Sequence, residues 1–256
     1  MLRGMIFVDH MNFDIALQTY YKSMQLQTPK LDYNLLFRNI VNKIENVDYL
    51  KSFIFVPKPD NFLMQDKHLN SYYNWATGLS NAPCTDVIEG NYIARQVDDK
   101  VPMDIAQKNT YYKVEKGTDI NLAVNVIHKA FYNSYDIAFV LSADTDYLKV
   151  YEVLKSIGKL VVVVGVKGQN LNRIRNQVDN VIILDKDFFD TCLRGSSTNT
   201  SNLIWVPGSR QKMSIPFLLT RLVHKKSYKA INYNKRIKWV HRIGTSISKV
   251  YCHRTA

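Results

Sequence analysis

The chain has 256 residues, 46% of them hydrophobic, which is enough to bury the core of one sizeable α/β domain with an appendage. No apolar run approaches the roughly 20 residues of a membrane span, and we expect neither a membrane protein nor a secretory signal. The net charge of +12 is uneven, because residues 191–256 hold 13 Lys and Arg and no acid, against 21 basic and 22 acidic residues in 1–190.

The apolar pattern predicts an alternating order of strands and helices. Short apolar runs indicate strands, and apolar spacings of three and four indicate helices. The predicted strands are 5–8, 50–56 (ended by Pro57 and Pro59), 111–115, 137–141, 160–164 and 181–184, while 86–95 is open between a bulged strand and a hairpin. The first predicted helix begins after Asp9, and the next two span 31–44 and 68–79. The fourth begins with Thr118 as its N-cap, the fifth runs over 148–157 with Gly158 as its C-cap, and the sixth spans 187–193.

The chain divides by composition into a domain and a basic tail. Residues 195–202 are rich in Gly, Ser, Thr and Asn and predict a flexible linker between a domain of residues 1–194 and a tail of residues 203–256. The tail shows no clean helical or strand period, so it is either an arm that binds nucleic acid or a weakly ordered extension. Three widely separated cysteines, Cys84, Cys192 and Cys252, predict free thiols in a cytoplasmic protein.

Acidic residues follow three of the predicted strands. Asp9, Asp119 and the pair Asp144/Asp146 stand at strand-to-helix junctions, and the strands 137–141 and 160–164 form a βαβ unit around the pair. If the strands are parallel, all three junctions lie on one sheet edge, where open α/β sheets bind ligands. Gathered carboxylates repel each other unless protons or a cation neutralise them, and Mg²⁺ favours oxygen ligands.

Each of these residues also has an ordinary structural explanation. A single aspartate after a strand is equally explained as a helix cap. Lys116 either pairs with a carboxylate or meets a substrate phosphate, and Asn12 offers a neutral donor and acceptor near Asp9. His10 is interpreted as a packed or half-exposed histidine rather than a general base, and the aromatic group Tyr72, Tyr73 and Trp75 as core rather than a platform for bases. Only the joint placement of the four aspartates indicates a site.

These motifs resemble those of the NYN domain family, PIN-like ribonucleases that include LabA-like bacterial proteins. The resemblance covers about residues 5–190 in the order of the family. It rests on the segments Phe7-Val8-Asp9-His10-Met11-Asn12, Lys116-Gly117-Thr118-Asp119-Ile120, Ser142-Ala143-Asp144-Thr145-Asp146-Tyr147, Gly158-Lys159 with the following valines, and Gln177 to Ile182.

The resemblance implies a PIN-like Rossmannoid three-layer sandwich with a mainly parallel sheet and metal-dependent cleavage of RNA. It implies that Asp9, Asp119, Asp144 and Asp146 bind Mg²⁺ or Mn²⁺, and that Asn12 and Ser142 support them. Asn12, Lys116 and Ser142 would also contact the substrate. Two positions depart from the family: Asn125 stands where the family often has an acid, and Ala143 where it usually has glycine.

The preferred hypothesis is a metal-dependent endoribonuclease in which water attacks an RNA phosphodiester and leaves a 5′-phosphate. The alternative is an RNA-binding or regulatory module with little catalysis, which Asn125 favours. A haloacid-dehalogenase-like phosphatase is less consistent, because that class needs a second aspartate where Met11 stands. RNA is the expected partner, no membrane is expected, and a homodimer remains open.

Overall fold

A seven-stranded sheet forms the centre of the computed structural model, which describes residues 1–195 and, beyond them, the backbone of five short strands. The strands of the sheet are β1 (Leu2–Asp9), β2 (Val47–Pro59), β3 (Thr85–Gln96), β4 (Tyr111–Lys116), β5 (Ile137–Leu141), β6 (Leu160–Val166) and β7 (Asn180–Leu184). Their spatial order is β4-β3-β2-β1-β5-β6-β7, and every neighbouring pair is parallel except β3 with β4. The predicted mainly parallel sheet is confirmed.

Helices cover both faces of this sheet. They are α1 (His10–Ser23), α2 (Tyr33–Val41), α3 (Lys67–Gly78), α4 (Thr118–Phe131), α5 (Leu148–Ser156), α6 (Asn172–Arg175) and α7 (Lys186–Asp190). One apolar cluster joins the sheet to α1, α2, α3 and α7, and a second cluster joins its other face to α4, α5 and α6. The predicted three-layer α/β sandwich is therefore confirmed, whereas the short helix α6 was not foreseen.

The central strands are apolar on both faces because both are covered. In β1, Ile6 and Val8 belong to the cluster beneath α1 and α2, while Phe7 belongs to the cluster beneath α4 and α5. Successive residues of a strand point to opposite faces, so a strand between two helical layers needs an unbroken apolar run. All five residues of β5 are buried, which explains why this strand is evident in the sequence.

Two strand predictions need correction. The predicted strand over 50–56, ended by Pro57 and Pro59, is too short, because β2 spans Val47–Pro59 and so runs through Pro57 before it ends at Pro59. Its pairing with β1 stops at Phe55, so both prolines lie where only the β3 side of the strand is paired and a missing N–H is tolerated. The segment left open between strand and hairpin is the single strand β3, parallel to β2 and antiparallel to β4.

The C-terminal residues belong to a separate compact unit. The chain divides into Met1–Ser196 and Ser197–Ala256. The described strands of the second unit are Leu203–Ile204, Met213–Ser214, Tyr228–Tyr233, Arg236–Ile243 and Ser246–Val250, and the last three form an antiparallel sheet. The predicted linker falls, apart from Gly195, outside the described residues. Among the helices of the described residues, none has the length and apolar character to cross a membrane.

Candidate active site

The first part of the site forms where β1 and β5 end side by side. Val8 of β1 pairs with Leu141, the last residue of β5, so the next residues, Asp9 and Ser142, are neighbours. Ser142 donates a hydrogen bond from Oγ to Oδ2 of Asp9 at 3.1 Å. The Oδ1 of Asp9 accepts the backbone N–H of Asn12 at 3.2 Å and thereby caps α1. Both oxygens of this buried carboxylate are thus held by donors.

The loop after β5 is folded around the same serine. The backbone N–H of Asp144 donates to Ser142 Oγ at 3.1 Å, and Asp144 Oδ1 accepts the N–H of Asp146 at 2.9 Å. Ala143 donates its N–H to Oδ1 of Asn12 at 3.2 Å. These hydrogen bonds connect the start of α1 with the loop that carries the aspartate pair.

Asp119 is positioned at this edge by the antiparallel strand β4, whose direction the sequence analysis did not predict. The assumption that all the strands are parallel is wrong for β4, which runs antiparallel to β3. β3 continues to Gln96, and β4 returns along it to end at Lys116, opposite Asn91. The end of β4 is therefore brought back toward the carboxyl ends of the parallel strands.

The register of the sheet shows how close this return comes. Asp9 pairs with Phe55, and Phe55 pairs with Ile88, three positions before the Asn91 that faces the end of β4. The start of α4 is therefore near the level of the end of β1, and the charge of Asp119 acts on Asp9. The hydroxyl of Tyr147, in the short 3₁₀ helix before α5, donates to Oδ1 of Asp119 at 2.8 Å.

A glycine pair shapes the turn into α4. The prediction of Thr118 as N-cap is wrong: the cap position is Gly117, and Thr118 is the first helical residue. Gly117 has φ of 83°, the left-handed conformation that favours glycine. A Cβ on Gly90 of β3 would lie 2.2 Å from Thr118 Oγ1 and 2.7 Å from its backbone nitrogen. The close approach of α4 to β3, which positions Asp119, thus requires glycine at position 90.

The buried carboxylate of Asp9 is electrostatically unfavourable. Burial, the largest cause, raises the pKa of Asp9 from 3.8 to about 6. The N–H of Asn12 and the hydroxyl of Ser142 favour the charged form, and they offset only part of this effect. The negative charges of Asp119 and Glu115 raise the pKa further. Asp9 therefore lies among like charges, and within residues 1–195 no positive charge is found to lower its pKa.

Glu115 is a site residue that the sequence analysis missed. It is half-buried near the end of β4, where burial is the main cause that raises its pKa and the charge of Asp119 adds to this effect. The signal was present as an acid in the strand that precedes Asp119, but its relevance depends on the antiparallel return of β4. Together with Asp9, Asp119 and Asp144, Glu115 makes four carboxylates at this edge of the sheet.

Tyr147 shows that three of the predicted aspartates converge. Burial raises the pKa of its hydroxyl well above 10, and the charge of Asp9, the hydrogen bond and charge of Asp119, and the charge of Asp144 act in the same direction. The structure thus brings Asp9, Asp119 and Asp144 within electrostatic reach of one phenol group.

Other predicted site residues stand farther out. The carboxylate of Asp146 is exposed and accepts no hydrogen bond within the described part of the chain, although its backbone N–H holds Asp144. Lys116 is exposed as well and forms no ion pair within residues 1–195. Asn125, where the resemblance leads to an acid, donates to the carbonyl of Asn121 at 2.9 Å within α4.

His10 is packed among aromatic rings. Its Nδ1 lies 2.6 Å from the hydroxyl of Tyr72 and its Nε2 lies 2.9 Å from that of Tyr33, and the ring of Trp75 contacts it. Complete burial lowers the pKa of His10 to about 4. Because both nitrogens are occupied and the ring is neutral at physiological pH, His10 is built into the layer beneath α1 and unsuited to act as a base.

The cluster of acidic side chains has the oxygen donors that a hard cation prefers, although these side chains are not arranged around a common point. Within the described residues, no three His, Cys, Asp or Glu side chains are arranged to hold a metal ion directly. The donors are nevertheless all oxygens, and Oδ2 of both Asp119 and Asp144 accepts no hydrogen bond within residues 1–195. Mg²⁺ typically keeps several waters and binds through one or two carboxylates, so this donor set fits such an ion.

Comparison with known proteins identifies one family. A family model described as the NYN domain matches residues 3–185. A crystal structure of a protein of unknown function from Vibrio parahaemolyticus is similar with a TM-score of 0.44 and 15% sequence identity, covering 73% of this chain and 95% of that chain. No curated protein matches the sequence significantly.

Proposed function

Since the chain belongs to the NYN domain family of the PIN-like nuclease superfamily, we propose that it is a metal-dependent endoribonuclease. The observation that carries this proposal is the convergence of Asp9, Glu115, Asp119 and Asp144 at the carboxyl edge of the sheet. A buried carboxylate among like charges is costly, and such arrangements concentrate at functional sites.

A divalent cation accounts for this accumulation of charge. PIN-like nuclease domains generally use divalent metal ions, and we propose Mg²⁺ or Mn²⁺ with Asp9, Asp119, Asp144 and Asp146 as the residues that hold it. The same oxygen ligands serve both ions. When bound, the ion supplies Lewis acidity, a water of lowered pKa and charge stabilisation at the phosphate. Glu115 adds negative charge to the site and strengthens its attraction for cations.

The surrounding residues fix the geometry of the acids. Ser142 and the N–H of Asn12 orient Asp9, and Tyr147 orients Asp119. The Oδ1 of Asn12 accepts two N–H donors, which leaves its Nδ2 group without a partner among the described residues and available to a phosphate oxygen. Exposed Lys116, at the end of β4, offers a positive charge to the same phosphate.

RNA is the proposed substrate, in the cytoplasm, and the basic residues 203–256 are proposed to bind its phosphates. The second candidate function is an RNA-binding or regulatory module with little catalysis. It is favoured by Asn125, which stands where the resemblance leads to an acid.

Cleavage of a labelled structured RNA tests the proposal. The full chain should cut the RNA with Mn²⁺ or Mg²⁺ and leave 5′-phosphate ends. The Asp119→Asn variant should lose this activity, whereas Asp187→Asn, an identical change at an exposed position of α7, should keep it. Circular dichroism checks that both variants are folded. RNA binding that persists in EDTA, without cleavage in any metal, would instead support the binding module.

A further inference from the structure

A groove of about 550 Å³ lies between α1 and the turn that follows β6. This volume falls within the range of roughly 300–1,000 Å³ that small-ligand sites occupy. The helix side presents Ile15, Thr19 and Ser23, which recur every four residues and so share one face of α1. The turn contributes Lys167 and Gly168 to the opposite wall. We call this feature the α1 groove.

One end of the α1 groove is joined to the proposed active site. Asn12 lines the groove, and its Oδ1 accepts hydrogen bonds from the side-chain amide of Gln169 and from the N–H of Ala143, both at 3.2 Å. Gln169 in turn accepts the N–H of Val166 through Oε1 at 2.8 Å. A nucleic-acid strand bound at the cluster of aspartates would therefore reach the α1 groove directly at Asn12.

The walls of the groove combine apolar, hydroxyl and cationic groups. Ile15 is 58% exposed and packs in none of the described apolar clusters. Gly168, with φ of 101°, leaves the facing turn without a side chain. Lys167 is exposed, and its ammonium forms no ion pair within the described domain. The Thr19 hydroxyl makes no hydrogen bond within the same part of the chain and can serve a ligand.

We propose that the α1 groove binds the nucleotide next to the cleaved phosphodiester of an RNA strand. The proposal rests on the proposed function and deepens it. Lys167 pairs with a flanking phosphate, Ile15 packs against the sugar and base, and the Thr19 hydroxyl bonds to a polar edge. A nucleotide fits better than a peptide, because the groove opens onto the proposed site for a phosphodiester. In addition, the Lys167 ammonium has no ion-pair partner in residues 1–195 and can pair with a phosphate.

Equilibrium binding of a fluorescein-labelled pentauridylate to the full chain in EDTA tests this assignment. Ile15→Glu places a negative charge in the groove and should weaken binding roughly tenfold, since like charges then face each other. The change removes no core contact because Ile15 is exposed. Lys167→Ala should weaken binding and reduce the slope of log affinity against log salt by about 0.7, the value for one phosphate contact on a single strand.

Two matched variants control for charge. Val124→Glu changes an equally exposed residue, 57% against 58%, on α4 at the opposite face of the sheet. Lys43→Ala removes an exposed lysine just after α2, at the end of the sheet away from the acids. Both should bind the oligonucleotide within twofold of the unmodified protein.

Photo-crosslinking with 4-thiouridine RNA locates the contact. Crosslinks should fall in the peptide of residues 4–22 or in the turn after β6, and Ile15→Glu should remove them. Unchanged affinity and crosslinks in both groove variants, or no binding by the unmodified protein, would overturn the proposal. If the protein binds RNA in the groove but cuts none, the proposed nuclease function is refuted and the groove assignment stands. If the protein cuts RNA and both groove variants have the same KM for RNA as the unmodified protein, only the groove assignment is refuted.

Discussion

Replacing Asp9 by asparagine is expected to stabilise the protein while it disables the proposed active site. The Asp9 carboxylate is 6% exposed, and burial together with neighbouring acids raises its pKa from 3.8 to about 6. An asparagine keeps the acceptor for the Asn12 N–H and offers an amide donor to the Ser142 oxygen. It therefore retains the local contacts without the buried charge.

The sign and size of the effect follow from proton linkage. Because the folded-state pKa of Asp9 is the higher one, the folded protein binds more protons between pH 3.8 and 6, and stability falls as the pH rises through that window. The penalty is about 3 kcal/mol at pH 7.5 and about 1 kcal/mol at pH 4.5. Allowing for the altered Ser142 hydrogen bond, we expect Asp9→Asn to be more stable by about 1–3 kcal/mol at pH 7.5.

Urea unfolding of the full chain in EDTA, followed by circular dichroism, measures this difference. His10 contributes the opposite pH dependence, since its folded pKa of about 4 lies below 6.5 and its contribution is lost as the pH falls. That contribution is common to both proteins and cancels. The exposed control Asp187→Asn should stay within about 0.5 kcal/mol. An Asp9→Asn protein that is no more stable at pH 7.5, or a gain independent of pH, would refute the reasoning.

Two further substitutions test the geometry of the site. Gly90→Ala should lower the free energy of unfolding by about 1–3 kcal/mol and reduce nuclease activity, because the new Cβ meets the backbone of Thr118. The control Gly78→Ala, whose new Cβ meets no atom within 4 Å, should be harmless. Equal effects of the two substitutions would contradict the close approach of α4 to Gly90. Glu115→Gln should raise the metal concentration needed for cleavage and move the acid limb of the pH–rate profile lower, because it removes a charge that raises the pKa of Asp9; an unchanged profile would argue against it.

The central strands could be predicted because burial leaves a local pattern. Residues 137–141 and 160–164 lie between two helical layers, and their unbroken apolar runs predict β5 and β6 closely. Gly158 was predicted as the C-cap of α5; the C-cap is instead Ile157, and Gly158 follows it with φ of 76°, the left-handed conformation in which many helices end. Such features depend on a few neighbouring residues and on which side chains must avoid water.

The direction in which strands pair left no comparable pattern. β4 pairs with β3 in the antiparallel direction, which the apolar pattern of residues 111–116 alone does not predict. Glu115 was therefore not among the predicted site residues, although the charge of Asp119 acts on it and its own charge acts on Asp9. The α1 groove was hidden for the same reason, since α1 and Lys167 are more than 140 residues apart in the sequence.

The Mn²⁺ dependence of RNA cleavage by the full chain tests the central claim most directly. Single-turnover rates on a labelled structured RNA would be measured from EDTA to millimolar Mn²⁺, beside an Asp144→Asn/Asp146→Asn double variant that is shown to be folded. We predict a rate that rises and saturates with Mn²⁺ in the unmodified protein and no cleavage by the double variant. Equal cleavage by both proteins, or RNA bound but never cut at any Mn²⁺ concentration, would contradict the assignment of the carboxylates to a nuclease centre.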